Sequence, residues 1–488
     1  MKKLFLIAIL AGATGITSCK KFLEERSQTD IIPTTVADYG DILCTKGYPD
    51  GNSKLQPQLF FLTDDVEYYL TIGSTDHQAH QKYSPIFKWQ AEYTEAVRLA
   101  GGETTVINSW ETYYKLLLPV NVALQYLDVA KGDNDEREWF KGQAFGLRAY
   151  YYYMLVNLYA MPYNTAGTTP DKLPGVPLKL DANVVESDLT RNSVAEVYAQ
   201  IKKDIDSSIR LLEKDKRERE KTFFSHVAVH LLASRVALQM EDWQAAVDHA
   251  SYVLQYNPEL QDLAGWSQEY SPIRSQSPET IWAYGTNKET EVNGFPLLAD
   301  VSHNLYDSYE PNDLRTFYYI WWTPPELKVW FAPDYSSQKH FNDMDYMIWR
   351  SSEAYLNRAE GYIQLYRKTG DASFAQKALT DLNTLRAKRF NPGEAPVWGM
   401  MPGDELLTKY RAERRRELFF EEGHRWFDLR RYGMPRIEHV YRPSEAVTEV
   451  YVLEENDPQY VLAIPREVLD RNRSLTQNKQ ITYVRKPQ

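Results

Sequence analysis

The sequence predicts a mainly α-helical protein in which paired helices form a scaffold, interrupted by long irregular loop insertions and a few short β-strands. Apolar residues recur at three- and four-residue spacing, several helices come in pairs joined by short polar turns, and alternating apolar residues occur only in short stretches. Composition agrees, because 43% of the residues are hydrophobic and 25% are charged, as in a packed globular protein.

Apolar residues recur at helical spacing from residue 105 onward, with Pro119 as an expected kink. A second helix is expected over residues 136–159 and stops before Pro162. It contains four successive tyrosines, residues 150–153, which cannot share one helix face. We therefore expect this helix to be covered by other elements nearly all round.

Residues 225–258 contain the clearest helical pair. A helix over 228–238 leads into the polar turn 241–243, and a second helix ends at Asn257-Pro258. Small alanines at the crossing and a terminal proline are typical of a tetratricopeptide-like hairpin. The same arrangement is predicted for residues 353–388, and further helical pairs are predicted at 105–160 and 193–213.

Two short stretches, residues 280–284 and 460–464, alternate in the manner of isolated strands. The chain as a whole is expected to divide into four parts. These are a signal peptide over 1–18, a lipidated N-terminus and tether over 19–35, an N-terminal helical region over 36–270, and a C-terminal region over 271–488 that forms one compact globule with it.

Cys19 ends a segment with the features of a bacterial lipoprotein signal. Lys2 and Lys3 supply positive charge, and the apolar stretch 4–13 is too short to span a bilayer. A lipoprotein site requires a thiol at the first mature position, since the acyl glyceride is attached through that sulfur, so we expect Cys19 to be lipidated. The alternative is an ordinary signal peptide with an incidental cysteine. With Cys19 acylated, Cys44 has no partner and no disulfide is expected.

Charge and aromatic content limit the partners of the protein. A net charge of −11 argues against nucleic acid or an anionic lipid surface as the main partner, because either would require a basic face. The chain contains 35 Tyr and 12 Trp but only 18 Phe, so most of its aromatic side chains combine a flat apolar face with a polar edge. Extracellular sugar binders use that chemistry, although large helical proteins also bury many tyrosines in their cores.

Motifs for catalysis are absent from the sequence, which has no glycine-rich phosphate loop, no GxSxG elbow, no HExxH and no CxxC. The acidic pairs Asp64-Asp65 and Glu421-Glu422 are expected to be structural rather than catalytic. His424 has no second ligand at helical spacing, so no metal site is predicted there.

Residues 413–433 are rich in Arg and Glu, spaced so that they can form ion pairs between positions i and i+4 of a helix. The apolar residues of the same run form a separate apolar side. Physical chemistry alone predicts a buried ion-pair scaffold, because an arginine guanidinium can donate two parallel hydrogen bonds to one carboxylate. The run also resembles the C-terminal signature of the SusD/RagB family of outer-membrane nutrient-binding lipoproteins. Other stretches that resemble the family are residues 147–152 with Pro162, 175–178, 352–360, 382–389 and 464–478.

The resemblance implies a SusD-like α/α superhelix and a non-enzymatic protein on the cell surface, anchored in the outer membrane by its lipid. Such a protein would bind oligosaccharide or polysaccharide and deliver it to a SusC-like TonB-dependent transporter. A peptide or other nutrient is the alternative ligand, as the RagB branch of the family implies, and a lipid-anchored glycosidase is a more remote one. No cofactor beyond the lipid on Cys19 is expected, and structural calcium would leave no linear signature in the sequence.

The family's ligand residues lie in variable loops, so the candidates come from aromatic residues of the two long insertions that lack helical periodicity. Exposure of Trp89 or Trp321 would support a sugar-binding surface, and a deeply buried set would count against it. Trp282 and Trp426 are expected in the core. The candidate ligand-binding residues are Tyr68, Tyr69, Tyr83, Trp89, Tyr93, Tyr306, Tyr309, Trp321 and Trp322.

Overall fold

The computed structural model describes residues 33–69, 76–183, 188–216, 219–267, 271–286, 291–292, 295–296, 300–322, 335–337, 339, 346–444 and 446–488. The predicted signal peptide, Cys19 and the tether as far as residue 32 lie outside the described residues. Within the described residues, no helix is long and apolar enough to cross a membrane.

Helices dominate the described chain. In chain order they are α1 (Val36–Ile42), α2 (Asp76–Phe87), α3 (Tyr93–Leu99), α4 (Ser109–Tyr126), α5 (Asn134–Tyr159), α6 (Val194–Leu212), α7 (His226–Met240), α8 (Trp243–Tyr256), α9 (His303–Tyr306), α10 (Arg315–Tyr318), α11 (Ser351–Thr369), α12 (Ala372–Ala387), α13 (Gly403–Leu418), α14 (His424–Arg431) and α15 (Arg466–Arg471). A π-helical segment, Leu43–Gly47, follows α1, and 3-10 turns lie at Pro57–Phe61, Thr105–Ile107 and Pro458–Tyr460.

The strands are short. They are β1 (Val66–Tyr69), β2 (Thr280–Tyr284), β3 (Glu291–Val292), β4 (Phe295–Pro296), β5 (Asp300–Val301), β6 (Ile320–Trp322), β7 (Tyr335–Ser337), β8 (Met347–Arg350), β9 (Ile437–Ser444) and β10 (Val447–Leu453). One sheet has the order β10-β9-β1-β5, with β1 parallel to β9 and the other two pairs antiparallel. The remaining strands form the pairs β2-β8, β3-β4 and β6-β7. The mainly α-helical fold with few short strands is therefore confirmed.

Helix α5 is covered all round, as its tyrosines predict. Asp133 caps its N-terminus by accepting a hydrogen bond from the Glu136 amide at 2.9 Å. The four tyrosines 150–153 are all buried, and their surroundings differ. For example, Tyr151 donates to the Gly47 carbonyl at 2.6 Å and Tyr152 to the Lys179 carbonyl at 2.7 Å. The hydroxyl groups are hydrogen-bonded on different sides, so the helix lies at the centre of the N-terminal region.

The helical pairs predicted at 105–160, 225–258 and 353–388 are confirmed, whereas the pair predicted at 193–213 is wrong because that segment forms one continuous helix, α6. Ser225 and Asp242 cap the N-termini of α7 and α8, and Glu241 between them adopts a left-handed conformation with φ 59°. Gly370, with φ 75°, ends α11, and Asp371 caps α12. The two pairs pack on each other through α8 and α11. This is the tetratricopeptide-like arrangement that the small residues predict.

The strand predictions have a mixed outcome. Strand β2 covers the predicted residues 280–284 and pairs with β8. The strand predicted over 460–464 is wrong, because Tyr460 ends the 3-10 turn Pro458–Tyr460 and residues 461–464 belong to no strand. All five residues are buried, and Leu462 donates its amide to the Leu158 carbonyl at 3.0 Å, at the end of α5. The alternation there reflects complete burial rather than a strand with two faces. The hairpin of β9 and β10 is not anticipated by the sequence analysis.

One hydrophobic core takes side chains from residues on both sides of position 270, from Val36 to Leu475. Trp282 and Trp426 lie in it with no exposed surface, as predicted. A smaller cluster joins α11, α12 and α13.

The run 413–433 forms the buried ion-pair scaffold that its composition predicts, but most of its partners lie on other elements rather than one turn away. Glu417, fully buried on α13, accepts from Arg315 at 2.9 Å, Arg350 at 2.6 Å and Arg389 at 2.8 Å. Only a few pairs are local, such as Arg416 with Glu413. The charges therefore join separate elements instead of reinforcing one helix.

Candidate functional site

Trp321 and Trp322 lie on the hairpin of β6 and β7, and each keeps 50% of its surface exposed. Trp322 lies opposite Tyr335 and Trp321 lies opposite Ser336 in the antiparallel register. Because neighbours along a strand point to opposite faces, the two tryptophans present their rings on the two sides of the hairpin. The hairpin therefore offers two aromatic faces to solvent.

The face that carries Trp322 continues into a row of rings. Tyr335, directly opposite Trp322, stacks on Tyr306 with ring centroids 3.8 Å apart and planes 14° apart. The imidazole of His303 meets the Tyr335 ring edge-on at 5.3 Å. An aromatic row of this kind matches the flat apolar face of a sugar ring, which presents C–H groups to the aromatic faces.

A polar pair borders this row. His303 Nδ1 lies 2.9 Å from Glu67 Oε2, and the His303 amide donates to Glu67 Oε1 at 3.1 Å. Glu67 belongs to β1, whereas His303 begins α9, so the pair joins the sheet to the segment that carries Tyr306. The His303 side chain keeps 38% of its surface exposed, which places a polar group beside the rings.

The chain that leads into β6 is fixed by buried charge. Arg315, at the start of α10, has no exposed surface and pairs with Asp313 at 2.6 Å and with Glu413 at 2.8 Å. Two residues later, Phe317 is 71% exposed. The exposed aromatic residues thus follow a rigid base, which is the usual construction of a binding loop on a scaffold.

Four of the predicted ligand residues are buried. Tyr68, Tyr83, Trp89 and Tyr93 each keep 5% or less of their surface exposed, because the first insertion folds into β1, α2 and α3 and packs onto the sheet. Trp89 Nε1 donates to the Leu62 carbonyl at 3.1 Å, and its ring stacks on His439 at 3.8 Å. None of the four offers a ring face to a ligand, and we correct the prediction for them.

The other predicted residues lie in different surroundings. Tyr309 is half-buried and its hydroxyl donates to the Arg416 carbonyl at 2.8 Å, while burial raises the pKa of its phenol well above the usual value. This hydroxyl supports α13 rather than a ligand. The backbone of Tyr69 pairs with Arg442 in the sheet, and its side chain lies outside the described residues. Of the predicted residues, Trp321, Trp322 and the half-buried Tyr306 keep accessible rings, with Trp321 on the opposite side of the hairpin from the other two.

Phe317, Tyr335 and the pair of Glu67 with His303 are not among the predicted site residues. Phe317 lies four residues before Trp321, but a phenylalanine lacks the polar edge by which the tyrosine and tryptophan candidates are recognised. Tyr335 is placed opposite Trp322 by the strand register, which no local pattern reveals. We call the set of Tyr306, Phe317, Trp321, Trp322 and Tyr335 the aromatic surface.

The first acidic pair, Asp64-Asp65, is neutralised by arginines. Arg425 holds Asp64 at 2.7 Å and Arg415 holds Asp65 at 2.6 Å. Burial opposes ionisation of Asp64, but the two guanidinium groups outweigh it and keep its pKa below the usual value. Burial raises the pKa of Asp65. The two carboxylates connect β1 to α13 and α14.

The second acidic pair, Glu421-Glu422, is likewise buried. Glu421 accepts from Arg350 at 2.8 Å and Lys339 at 2.6 Å, and these cations outweigh burial and lower its pKa. Glu422 pairs with Arg235 at 2.7 Å, but burial outweighs that cation and raises its pKa. Neither acidic pair faces an open cleft across which a glycosidic bond could lie.

His424 is also buried, and burial together with Arg235 lowers its pKa well below the usual value. In the part of the chain that the structure describes, no group of three or more His, Cys, Asp and Glu side chains is arranged to hold a metal ion.

Two family models match the chain. One, described as starch-binding associating with outer membrane, matches residues 21–238, and the other, the SusD family model, matches residues 279–481. Together they cover well over half of the sequence. No curated protein matches the chain.

Solved structures share the fold. A SusD-like carbohydrate binding protein from Bacteroides vulgatus ATCC 8482 is 19% identical, with a TM-score of 0.69 over 92% of this chain and 99% of that chain. A SusD superfamily protein from Bacteroides thetaiotaomicron VPI-5482 is 20% identical, with a TM-score of 0.68 over 91% of this chain and 100% of that chain. A laminarin binding SusD-like protein is 19% identical, with a TM-score of 0.61 over 91% and 98%. The chain belongs to the SusD/RagB family.

Proposed function

We propose that this protein binds oligosaccharide or polysaccharide at the cell surface through its aromatic surface, without catalysis. The observation that carries the proposal is the pair of half-exposed tryptophans on the β6-β7 hairpin of a SusD-family fold. Sugar rings stack on such side chains, and the exposed edge of the His303 and Glu67 pair supplies hydrogen bonds beside them. Structural relatives named as carbohydrate binding and laminarin binding support a glycan ligand.

We further propose that Cys19 carries the lipid that anchors the protein in the outer membrane, facing outward. The description of the first family model, starch-binding associating with outer membrane, supports this location. A SusC-like TonB-dependent transporter is the proposed partner that receives the glycan. The remaining proposals are that no nucleic acid is bound and that no cofactor beyond the lipid is required.

The absence of catalysis is supported by the state of the carboxylates. The acidic pairs considered for a glycosidase are each held by arginine or lysine in the protein interior. A glycosidase needs two carboxyl groups that face the substrate from either side of the glycosidic bond, whereas these four face arginine or lysine. The two pairs therefore suit a scaffold and not hydrolysis.

The binding proposal is tested with the protein lacking residues 1–19, screened against a polysaccharide array with peptides alongside and with reducing ends monitored. Retention by a glycan without release of reducing ends supports the proposal. Release of reducing ends would make the protein a glycosidase, and retention by peptide alone would assign it to the peptide-binding alternative.

For the glycan retained in that screen, Trp322→Ala and Trp321→Ala are each expected to weaken binding about tenfold, or ~1.4 kcal/mol, because each removes one stacking face. Calorimetric titration measures the loss. Tyr483→Ala is the control, since Tyr483 is an aromatic residue of another segment with 60% of its surface exposed. Equal affinity of both tryptophan variants and the unchanged protein would show that the aromatic surface is not the ligand site.

A further inference from the structure

The outward side of α4 carries an apolar stripe that no described element covers completely. Leu118 is 52% exposed, Val122 is half-buried and Tyr126 is 38% exposed, and the three recur every fourth residue. Val129, in the turn after the helix, is 78% exposed. Residues at i, i+4 and i+8 lie on one side of a helix, so Leu118, Val122 and Tyr126 form a continuous row about 12 Å long.

A loop beside α4 extends the stripe. Asn121 Nδ2 donates to the Lys179 carbonyl at 2.8 Å, and the Ala182 amide donates to Gln125 Oε1 at 3.0 Å. Leu180, between these two contacts, keeps 37% of its surface exposed. Single exposed apolar residues are ordinary, but a row of them beside a further exposed leucine marks an interaction surface.

The stripe ends where the described chain begins. The Lys131 amide donates to the Thr34 carbonyl at 3.0 Å, and the Val36 amide donates to the Lys131 carbonyl at 2.8 Å. Tyr39 stacks on Tyr126 of the stripe at 5.7 Å. These contacts hold residues 34–39 against the end of α4, within two residues of Val129.

The lipid expected on Cys19 is joined to this end by a short segment. Residues 20–32 separate Cys19 from Pro33, and covalent geometry limits that separation to about 50 Å. An anchored protein therefore keeps the stripe close to the bilayer, where a weak apolar contact is favoured by its high effective concentration.

We propose that the α4 stripe rests on the lipid surface of the membrane, an inference that depends on the proposed anchor at Cys19. The composition of the stripe suits the interface, because leucine and valine enter the acyl boundary while a tyrosine places its ring at headgroup level. Lys131 lies after the stripe and is exposed, so its ammonium group can reach the headgroups. Lys115, before the stripe, is also exposed and pairs with Glu111 Oε1 at 2.6 Å. The contact fixes which side of the protein faces away from the bilayer.

The test uses the mature lipoprotein reconstituted in phospholipid vesicles that contain doxyl-labelled phosphatidylcholine. A fluorescent thiol probe is placed at Leu118→Cys, Val129→Cys or Val397→Cys, each in a Cys44→Ser background. Val397 is the matched control, because it is a valine with 81% of its surface exposed on the loop after α12. Quenching at positions 118 and 129 at least twofold stronger than at 397 is expected.

Two results would overturn the inference, and they are distinguishable. In the first result, the protein floats with the vesicles, but the probe at positions 118 and 129 is quenched no more than the probe at position 397. This result excludes the lipid contact and leaves the anchor intact. In the second result, the protein does not float with the vesicles. This result contradicts the proposed lipid anchor at Cys19 and therefore also the lipid contact that depends on it.

Discussion

His230 on α7 and His249 on α8 face each other through ring nitrogens, with 3.0 Å between the two Nδ1 atoms. Only one of these atoms can carry the proton of the hydrogen bond, and His230 Nε2 lies 3.1 Å from Glu213 Oε1. Burial and the neighbouring His249 lower the pKa of His230 to about 4, and burial also lowers the pKa of His249. The pair therefore stays uncharged in the folded protein at neutral pH.

This pair predicts a specific loss of stability in mild acid. The unfolded chain takes up a proton at His230 below pH ~6.5, whereas the folded chain does so only near pH 4. The contribution of uncharged His230 to the free energy of unfolding is therefore complete above pH ~7 and decreases as the pH falls. For one such histidine the loss between pH 7 and pH 5 is about 2 kcal/mol. Urea unfolding of the unchanged protein and of His230→Asn at both pH values should show a smaller pH effect in the variant. The same pH dependence in both would contradict this assignment.

At the residue scale, the type of an aromatic side chain does not reveal its role. Trp89 and Trp321 both come from segments without helical periodicity, yet Trp89 is 1% exposed and Trp321 is 50% exposed. Trp89 is buried because it stacks on His439, which lies 350 residues later in the chain. Partners so distant leave no trace in the local sequence, so only part of the candidate site could be predicted.

Among the elements, the crossing of α8 and α11 depends on a glycine. A Cβ atom at Gly361 would lie 2.7 Å from Val247 Cγ2 and 2.8 Å from the Trp243 carbonyl oxygen. The second contact is with backbone, which cannot move aside as a flexible side chain can. The two helical pairs approach this closely only because position 361 lacks a side chain.

Gly361→Ala is therefore expected to lower the free energy of unfolding by about 1–3 kcal/mol, because overpacking outweighs the gain of up to ~1 kcal/mol in helix propensity. Denaturant unfolding measures the change. Gly399→Ala is the control, since a Cβ atom there meets nothing within 4 Å. A more stable Gly361→Ala variant would mean that α8 and α11 do not cross as closely as described.

Elements with local signals were predictable and elements with distant partners were not. The local sequence of each of α7, α8, α11 and α12 contains its own 3.6-residue apolar period and its own small residues. These helices lie within a few residues of their predicted bounds. The stretch 460–464 alternates like a strand but is buried on both sides. The partner of β1 is β9, far away in the sequence, so their pairing could not be inferred locally.

Across the whole molecule, buried ion pairs take the place of disulfides, and Cys44 is a free cysteine. Glu417 on α13 is held by three arginines that come from α10, from the end of β8 and from the residues after α12. Burial opposes its ionisation, but the arginines outweigh that effect and keep its pKa well below the usual value. One carboxylate thus joins three separate parts of the chain.

Glu417→Gln should lower the free energy of unfolding by about 3–5 kcal/mol, because it leaves three buried guanidinium groups without their shared counter-charge. Chemical denaturation measures the loss. Asp404→Asn is the control, because Asp404 pairs with Arg367 at 2.7 Å but is 86% exposed, and its replacement should leave stability nearly unchanged. Similar small effects of both substitutions would show that the buried network contributes little to stability.

The construction around Arg315 has a consequence for how such proteins diversify. The charges that fix this segment lie at its base, whereas Phe317, Trp321 and Trp322 spend much of their surface in water and contribute little to folding. Substitutions at these exposed positions are therefore expected to leave the fold intact. An engineer can exchange these side chains while the scaffold beneath them stays the same.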